Sequence, residues 1–178
     1  MNIATSSRRK GFTLVELLVV IAIIVALAAL ATPQIFKALK RAALAEAVSN
    51  ARQVKLALDA FATDYDGQFP NDDTAEAVVE GGTGSTYSND YFKQLFLAGS
   101  TDSETIFWVK NSGVASKSAP DDKVKENGRM QQELILEPGD VHWAYITDQT
   151  NLSTGSRPLI LDGSGRPCRR LVQRKVLP

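Results

Sequence analysis

The hydrophobic pattern starts with a run of twenty residues, FTLVELLVVIAIIVALAALA at 12–31, in which Glu16 is the one charged side chain. A helix of about 20 apolar residues spans the ~30 Å hydrocarbon core of a membrane. Three cations, Arg8, Arg9 and Lys10, come before the run, and cations in this position stay on the cytoplasmic side. The pattern therefore predicts a single membrane-crossing helix, with the rest of the chain on the far side.

Beyond Pro33 the pattern becomes amphipathic, because apolar residues return at intervals of three and four and so share one helix face. These residues are Leu44, Ala47, Val48, Ala51, Val54, Leu58, Phe61 and Tyr65. Pro33 lacks a backbone N–H, so we expect it to bend or loosen the helix locally. Gly67 and Pro70 favour an end to the helix. Together these signals predict one helix from Phe12 to about Tyr65, roughly 80 Å long at 1.5 Å per residue.

Two short helices are predicted next, in DDTAEAVVE (72–80) and NDYFKQLFLAG (89–99). Aspartate and asparagine favour N-caps, and glycine favours the position after a helix. The candidate caps are Asp72 or Asp73 for the first helix and Asn89 or Asp90 for the second, with Gly81–Gly82 and Gly99 at the ends. The polar segment 111–129 is long for a compact domain, so we expect an exposed excursion.

Strands are predicted where β-branched and aromatic residues concentrate. The segments are TIFWVK (105–110), ELILE (133–137), VHWAYIT (141–147) and RPLILDGSG (157–165), the last leading into a turn. Pro138, Gly139 and Asp140 predict a hairpin turn between the second and third strands. This order predicts an α+β fold, in which the long helix packs against a small antiparallel sheet and two short helices lie in the connection.

Charge is distributed unevenly, although the formal net charge is zero. Residues 59–148 carry 17 acidic and 6 basic side chains, a net of −11, whereas the stretch from Gln149 carries 6 basic and one acidic, a net of +5. Neither stretch interleaves bases with exposed aromatics along one element, so we predict no nucleic-acid partner. Cys168 is the single cysteine, which excludes an intrachain disulfide and a cysteine-rich metal site.

Four acids crowd the end of the long helix, Asp64, Asp66, Asp72 and Asp73. Carboxylate oxygens are ligands that calcium prefers, so a calcium site is conceivable here. The spacing is not that of an EF-hand loop, and helix capping and solubility explain the same acids equally well. We therefore predict no metal and no cofactor, with calcium at these four residues as the alternative.

An anchored enzyme is the alternative from another functional class, and it would need a nucleophile, a base or metal ligands that converge. His142 is the single histidine and lies in a predicted strand, where we expect a sheet-surface residue. Cys168 has no recognisable histidine partner motif, although nearby arginines could lower its pKa. A structural subunit is therefore favoured over an enzyme.

The N-terminal segment is open to three interpretations. A plain anchor is the simplest, and a cleaved secretory signal ending at Ala31 is the second. The third comes from KGFTLVELLVVIAII, which strongly resembles the prepilin signature shared by type IV pilins and type II secretion pseudopilins. The resemblance implies that a membrane peptidase cuts after Gly11, that Phe12 is then N-methylated and that Glu16 is needed for assembly. It also implies that Pro33 matches a helix-softening proline of the family.

A buried carboxylate needs a partner, because a charged residue at the centre of a membrane helix costs roughly 2.5–3.5 kcal/mol on insertion scales. Cutting after Gly11 would give Phe12 a charged amino group. Our hypothesis is that Glu16 of one subunit pairs with the Phe12 ammonium of its neighbour. Wrong registers would leave one charge unpaired, so the pair would specify how subunits align.

The resemblance implies four segments: a leader (1–11), a transmembrane half of the helix (12–31), an amphipathic half (32–66) and a periplasmic head (67–178). It implies a pilin-like fold and a type II secretion major pseudopilin, with a surface type IV pilin as the alternative. The single cysteine favours the pseudopilin, because pilins often carry a C-terminal disulfide loop. The DYDGQFP stretch (64–70) also favours it, because it resembles the stretch that closes the long helix in major pseudopilins. The long polar excursion and the basic ending, whose RLVQRKV stretch (170–176) could be an edge strand, depart from it.

The implied partners are copies of the chain, homologous minor subunits, the prepilin peptidase and an inner-membrane platform driven by a cytoplasmic ATPase. The implied location is the bacterial inner membrane, with the N-terminus cytoplasmic and the head periplasmic, and extraction into a periplasmic filament.

We expect the mature protein to begin at a methylated Phe12, because the resemblance implies cutting after Gly11. Intact mass and N-terminal sequencing of protein purified from membranes measure this. A mature chain that begins at Thr32 would contradict the expectation and support a secretory signal cut after Ala31.

Overall fold

One helix, α1 (Leu14–Asp64), carries the N-terminal apolar run and the amphipathic segment after it. The computed structural model describes residues 11–79, 82–83, 86–110, 118–126, 128–137, 139–153, 155 and 157–162. The predicted helix from Phe12 to about Tyr65 is therefore confirmed to within two residues at each end. Pro33 lies inside α1, and the bend expected there stays a prediction.

The chain divides into two compact units, residues 1–42 and 43–178, with the boundary inside α1. In the first unit every described residue is exposed. α1 contains an 18-residue window with a mean hydropathy of 3.0, so by length and composition it can cross a membrane. An apolar surface of this extent needs lipid or other helices to cover it.

In the second unit, α1 contributes one face to the hydrophobic core. Val54, Leu58 and Phe61 are fully buried, as their spacing predicted. Leu44 and Val48, from the same predicted face, are instead 67% and 52% exposed. The elements that cover α1 bury this face fully only from Val54 onward.

The first short helix is confirmed as α2 (Asp72–Val78), but its cap was predicted wrongly. The Asn71 side chain accepts a hydrogen bond from the Thr74 N–H at 2.8 Å. The Thr74 hydroxyl accepts one from the Asn71 N–H at 2.9 Å. This reciprocal pair is a capping box, so the N-cap is Asn71 and neither Asp72 nor Asp73.

The second short helix is confirmed as α3 (Ser88–Leu97). The Asp90 carboxylate accepts hydrogen bonds from the N–H groups of Thr86 and Tyr87, at 3.0 and 2.9 Å. Asp90 therefore caps the helix from its third residue, while Tyr87 stands at the N-cap position. Gly99 follows the helix at a φ of +77°, as its sequence position predicted.

Among the described residues, four short strands form two antiparallel pairs, β1 (Lys125–Glu126) with β2 (Arg129–Met130) and β3 (Trp143–Tyr145) with β4 (Ile160–Asp162). β3 and β4 lie within the strands predicted at 141–147 and 157–165. β1 and β2 lie at the end of the segment predicted as a polar excursion, with Gly128 between them at a φ of +78°. Together with the helices, these pairs give the α+β architecture that the sequence predicted.

The strand predicted in TIFWVK is wrong, since Thr105–Phe107 is a short 3-10 helix. The Asp122 carboxylate accepts hydrogen bonds from the N–H groups of Glu104 and Thr105, at 2.5 and 3.3 Å. These contacts turn the chain where a strand was expected to begin. They come from a residue far along the sequence, so local propensity could not reveal them.

The strand predicted in ELILE (133–137) is also wrong, because this segment forms turns and Leu136 has a φ of +47°. The Leu136 N–H donates to Glu104 Oε1 at 2.6 Å. The Asn89 amide donates to the carbonyl oxygens of Leu136 and Glu137, at 3.0 and 3.1 Å. The hairpin predicted between this segment and β3 therefore has no first strand.

Aromatic side chains join α3 to β3 in the core. The Phe92 ring centroid lies 4.8 Å from that of Phe107 and 5.2 Å from that of Tyr145. The Tyr145 hydroxyl donates to the Pro70 carbonyl at 2.8 Å. Burial raises the pKa of Tyr145 well above its usual range, so the phenol remains a hydrogen-bond donor.

Some predictions lie outside the described residues. They concern the leader at 1–10, the polar residues 111–117, Cys168 and the RLVQRKV stretch at 170–176.

Gly67 lies at a φ of +79°, and a Cβ there would come 2.7 Å from Asn151 Oδ1. We expect Gly67→Ala to destabilise the head by more than roughly 1–2 kcal/mol, the cost of the left-handed conformation alone for a residue with a Cβ. Urea unfolding of a soluble fragment beginning at Thr32 measures the change. Gly99→Ala is the matched control, because its φ is +77° and its Cβ would meet nothing within 4 Å. Equal losses for the two variants would contradict the close approach.

Candidate functional site: the first turn of the long helix

The first turn of α1 is closed by Thr13, the residue before the helix, and Glu16, its third residue. The Thr13 N–H and hydroxyl both donate to Glu16 Oε2, at 2.8 and 2.7 Å. The Glu16 N–H donates back to Thr13 Oγ1 at 3.3 Å. These reciprocal bonds are a capping box, which satisfies N–H groups that have no partner inside the helix.

The carboxylate of Glu16 is also placed favourably for its charge. It lies in the first turn of α1, where the partial positive charge of the helix N-terminus stabilises an anion. Both Thr13 donors bind Oε2, and Oε1 has no hydrogen bond among the described residues. The site therefore holds one carboxylate oxygen within the chain and leaves the other open to a donor from outside.

The residues before the capping box are accessible and non-helical. Gly11, Phe12 and Thr13 precede the first helical residue. Phe12 is 71% exposed, and a Cβ added to Gly11 would meet no atom within 4 Å. The bond between Gly11 and Phe12 is therefore exposed and lies outside α1.

Residues 6–32 match the sequence family described as the prokaryotic N-terminal methylation motif. The N-terminal segment carries this methylation motif. The matched residues include Gly11, Phe12 and Glu16, and the motif supports a type IV pilin-like precursor. The apolar helix that follows suggests a membrane anchor. No curated protein and no solved structure matches the chain.

The contact between Thr13 and Glu16 was missed at the level of sequence, although a signal for it is present. TLVE at 13–16 fits the pattern of a serine or threonine followed three residues later by glutamate, which indicates a capping box before an apolar run. The cost of burying the Glu16 charge led us to predict a partner for it in another subunit. The structure adds a partner within the same chain.

The four acids considered for calcium are all exposed. Asp66 has a φ of +48°, and Asp72 Oδ1 accepts a hydrogen bond from the Tyr91 hydroxyl at 2.7 Å. Across the described ranges, no group of three or more histidine, cysteine, aspartate or glutamate side chains is gathered so that it could hold a metal ion. The structure therefore does not gather these four acids into a metal site.

His142 was expected at a sheet surface, and that expectation is wrong because it is only 1% exposed. The backbone N–H of His142 donates to the Phe107 carbonyl at 2.9 Å. Its Nδ1 lies 3.1 Å from the Val109 nitrogen and 2.9 Å from the Val109 oxygen. The 3-10 segment thus covers His142, which joins two parts of the core. Nε2 has no hydrogen-bond partner among the described residues.

A cluster of acids that sequence analysis did not single out surrounds Glu104, which is 2% exposed. Burial raises the pKa of the Glu104 carboxyl above its usual range, and this effect outweighs the lowering by the Leu136 N–H. The negative charges of Asp140, Asp122 and Asp121 raise it further. Glu104 therefore holds its proton more tightly in the folded chain than in the unfolded chain.

This raised pKa predicts a pH dependence of stability. A carboxyl whose pKa is higher in the folded state destabilises the fold as pH rises from about 4.5, its unfolded value, through the folded value. We expect Glu104→Gln to be more stable than the wild type near neutral pH and to lose that advantage on acidification, since Gln keeps an acceptor for the Leu136 N–H. Urea midpoints between pH 4 and pH 7 measure the difference.

Glu133→Gln is the control, because Glu133 is exposed. Wild-type and Glu104→Gln curves that run parallel across this range would contradict the assignment.

Proposed function

We propose that the chain is a structural subunit of a type II secretion pseudopilus. In this role a peptidase removes residues 1–11, Phe12 is methylated, and the mature chain polymerises through its N-terminal helix. The main support for this proposal is that the methylation motif lies on an apolar helix whose described residues are all exposed in the first unit. A helix of this kind is suited to lipid before assembly and to neighbouring helices after it.

Glu16 would act at two stages. In the membrane, the Thr13 donors and the helix N-terminus stabilise its carboxylate, which lowers the cost of placing the charge at this depth. In the filament, the open Oε1 accepts a hydrogen bond from the methylated Phe12 ammonium of a neighbouring subunit. This pairing does not require the capping box to break, because the box uses only Oε2.

Two features of the chain favour a pseudopilus over a surface pilus. The chain has a single cysteine, Cys168, so it cannot form the intrachain disulfide loop that pilins often carry. The long helix ends in DYDGQFP, as in the major pseudopilins that the sequence resembles. The proposed partners are further copies, minor pseudopilins, the prepilin peptidase and an inner-membrane platform driven by a cytoplasmic ATPase. The proposed location of the head is the periplasm.

The pairing of charges can be separated from helix capping by replacing Glu16 with glutamine. Glutamine also completes a capping box, but it has no charge to pair with an ammonium. We therefore expect Glu16→Gln to insert and be processed normally, yet to lose filament assembly and leave secreted proteins in the periplasm, and we expect the same of Glu16→Ala. Immunoblots of membrane and sheared fractions, with secretion assays of the same cells, measure this.

Thr13→Ser is the matched control, since serine keeps the hydroxyl of the capping box, and it should assemble normally. If Glu16→Gln assembled and secreted as the wild type does, the proposed charge pairing would be refuted. Loss of a surface fibre with secretion intact would refute the pseudopilus in favour of a surface pilus.

A further inference from the structure

An open groove of about 550 Å³ lies in the second unit between α1 and the segment leading to β4. We call it the basic groove. Its apolar lining includes Val48, which is 52% exposed, together with the largely covered Phe69 and Ile160. Three exposed cations also line it, Arg52, Lys55 and Arg157.

The charges of the basic groove are only partly balanced within it. Lys55 forms an ion pair with Asp59 at 2.5 Å, and Asp59 is the one acidic residue of the lining. Arg52, about two turns before Asp59 on α1, has no ion pair with another described residue. The groove therefore offers an apolar floor beside the positive charge of Arg52, which suits an apolar side chain next to a carboxylate.

The walls of the basic groove are fixed by backbone and side-chain hydrogen bonds. The Asn151 N–H donates to the Gly67 carbonyl at 2.8 Å, and the Phe69 N–H donates to the Gln149 carbonyl at 3.3 Å. The Gln149 side chain donates to the Pro158 carbonyl at 2.9 Å. The groove is thus built into the fold, so a partner need not order it.

A complementary surface is present elsewhere in the same unit. We call it the Leu134 turn, residues 131–137, and it replaces the strand that the sequence predicted. Leu134 is 39% exposed, and the carboxylate-bearing residues Glu133 and Glu137 near it are also exposed. The turn therefore presents one apolar side chain between two negative charges.

Buried side chains and hydrogen bonds fix the Leu134 turn to the rest of the unit. Ile135 and Leu136 are buried, and Glu104 and Asn89 bind the backbone of the turn through the three hydrogen bonds described above. Leu136 adopts a φ of +47°, a conformation that a leucine keeps only when its surroundings impose it. This strained and anchored geometry fixes the direction of Leu134 and its flanking acids.

We propose that the Leu134 turn of one copy occupies the basic groove of another copy, with Leu134 against Val48 and Glu133 facing Arg52. The occupant is a second copy of this chain because the apolar centre and the charges of the two surfaces are complementary. The two surfaces are different patches, so the contact is heterologous and can continue from copy to copy into an open polymer. This inference rests on the proposed function and adds a head-to-head contact to assembly through α1.

A charge exchange tests the contact in cells that assemble the full-length chain. We expect Arg52→Glu and Glu133→Arg each to reduce filament yield by roughly tenfold or more, because like charges then face each other. The double variant should recover most of the yield, because the opposite charges are restored with their positions exchanged. Arg129→Glu and Glu76→Arg are matched controls on exposed residues outside both surfaces, and they should assemble as the wild type does.

Wild-type yield from both single variants, or a double variant no better than either single one, would overturn the inference. Protease resistance of each variant separates a lost contact from a misfolded head. If the unmodified chain formed no filament at all, the proposed function would fail and this inference with it.

Cross-linking identifies the occupant of the groove. With Cys168 replaced by serine, we expect Val48→Cys combined with Leu134→Cys to give a ladder of oligomers on mild oxidation. Either cysteine alone should give no ladder. A Val48→Cys product containing a different protein and no second copy would overturn the inference.

Discussion

The central physical constraint is that α1 has to satisfy two different surroundings. From Val54 onward its apolar face is buried with the side chains of α3 and β3, and burial of this kind contributes roughly 25 cal/mol per Å² of apolar surface. In the first unit, the described residues of α1 have no such cover. An exposed apolar surface of this extent is typical of a helix that lipid or other helices cover, which agrees with the membrane anchor that the methylation motif suggests.

In the proposed function, the role of Glu16 follows from the same constraint. When an apolar helix moves from lipid into a polymer, its apolar side chains distinguish poorly between correct and wrong alignments, since lipid tails and neighbouring helices are similarly apolar. A charge is different, because each wrong register leaves it without a counter-ion. In the function that we propose, the Thr13 capping box would lower the cost of this charge before assembly, and the unused Oε1 would be available for pairing afterwards.

The sequence predicted the elements whose signals are local and failed where distant contacts decide the conformation. The apolar run, the spacing of Val54, Leu58 and Phe61, and Gly99 gave α1 and the end of α3 almost correctly. TIFWVK and ELILE have the composition of strands, but Asp122, Glu104 and Asn89 bind their backbones and bend them. His142 was predicted at a sheet surface, and residues 105–107 were predicted as a strand. They form a 3-10 helix instead, and the backbone of His142 binds to it. At the candidate site, the motif residues were identified, whereas the TLVE capping signal was present and overlooked.

The misjudged segments bear on how subunits could recognise one another. A regular strand at 133–137 would have paired its backbone within a sheet and alternated its side chains between two faces. The turn instead buries Ile135 and Leu136 and directs Leu134 outward with acids on either side. Contacts among apolar helices permit many rotations about the helix axis, whereas a charged turn in a charged groove permits few. We infer that α1 provides the cohesion of the polymer, that Glu16 sets the alignment along it, and that the surfaces of the second unit select its rotation.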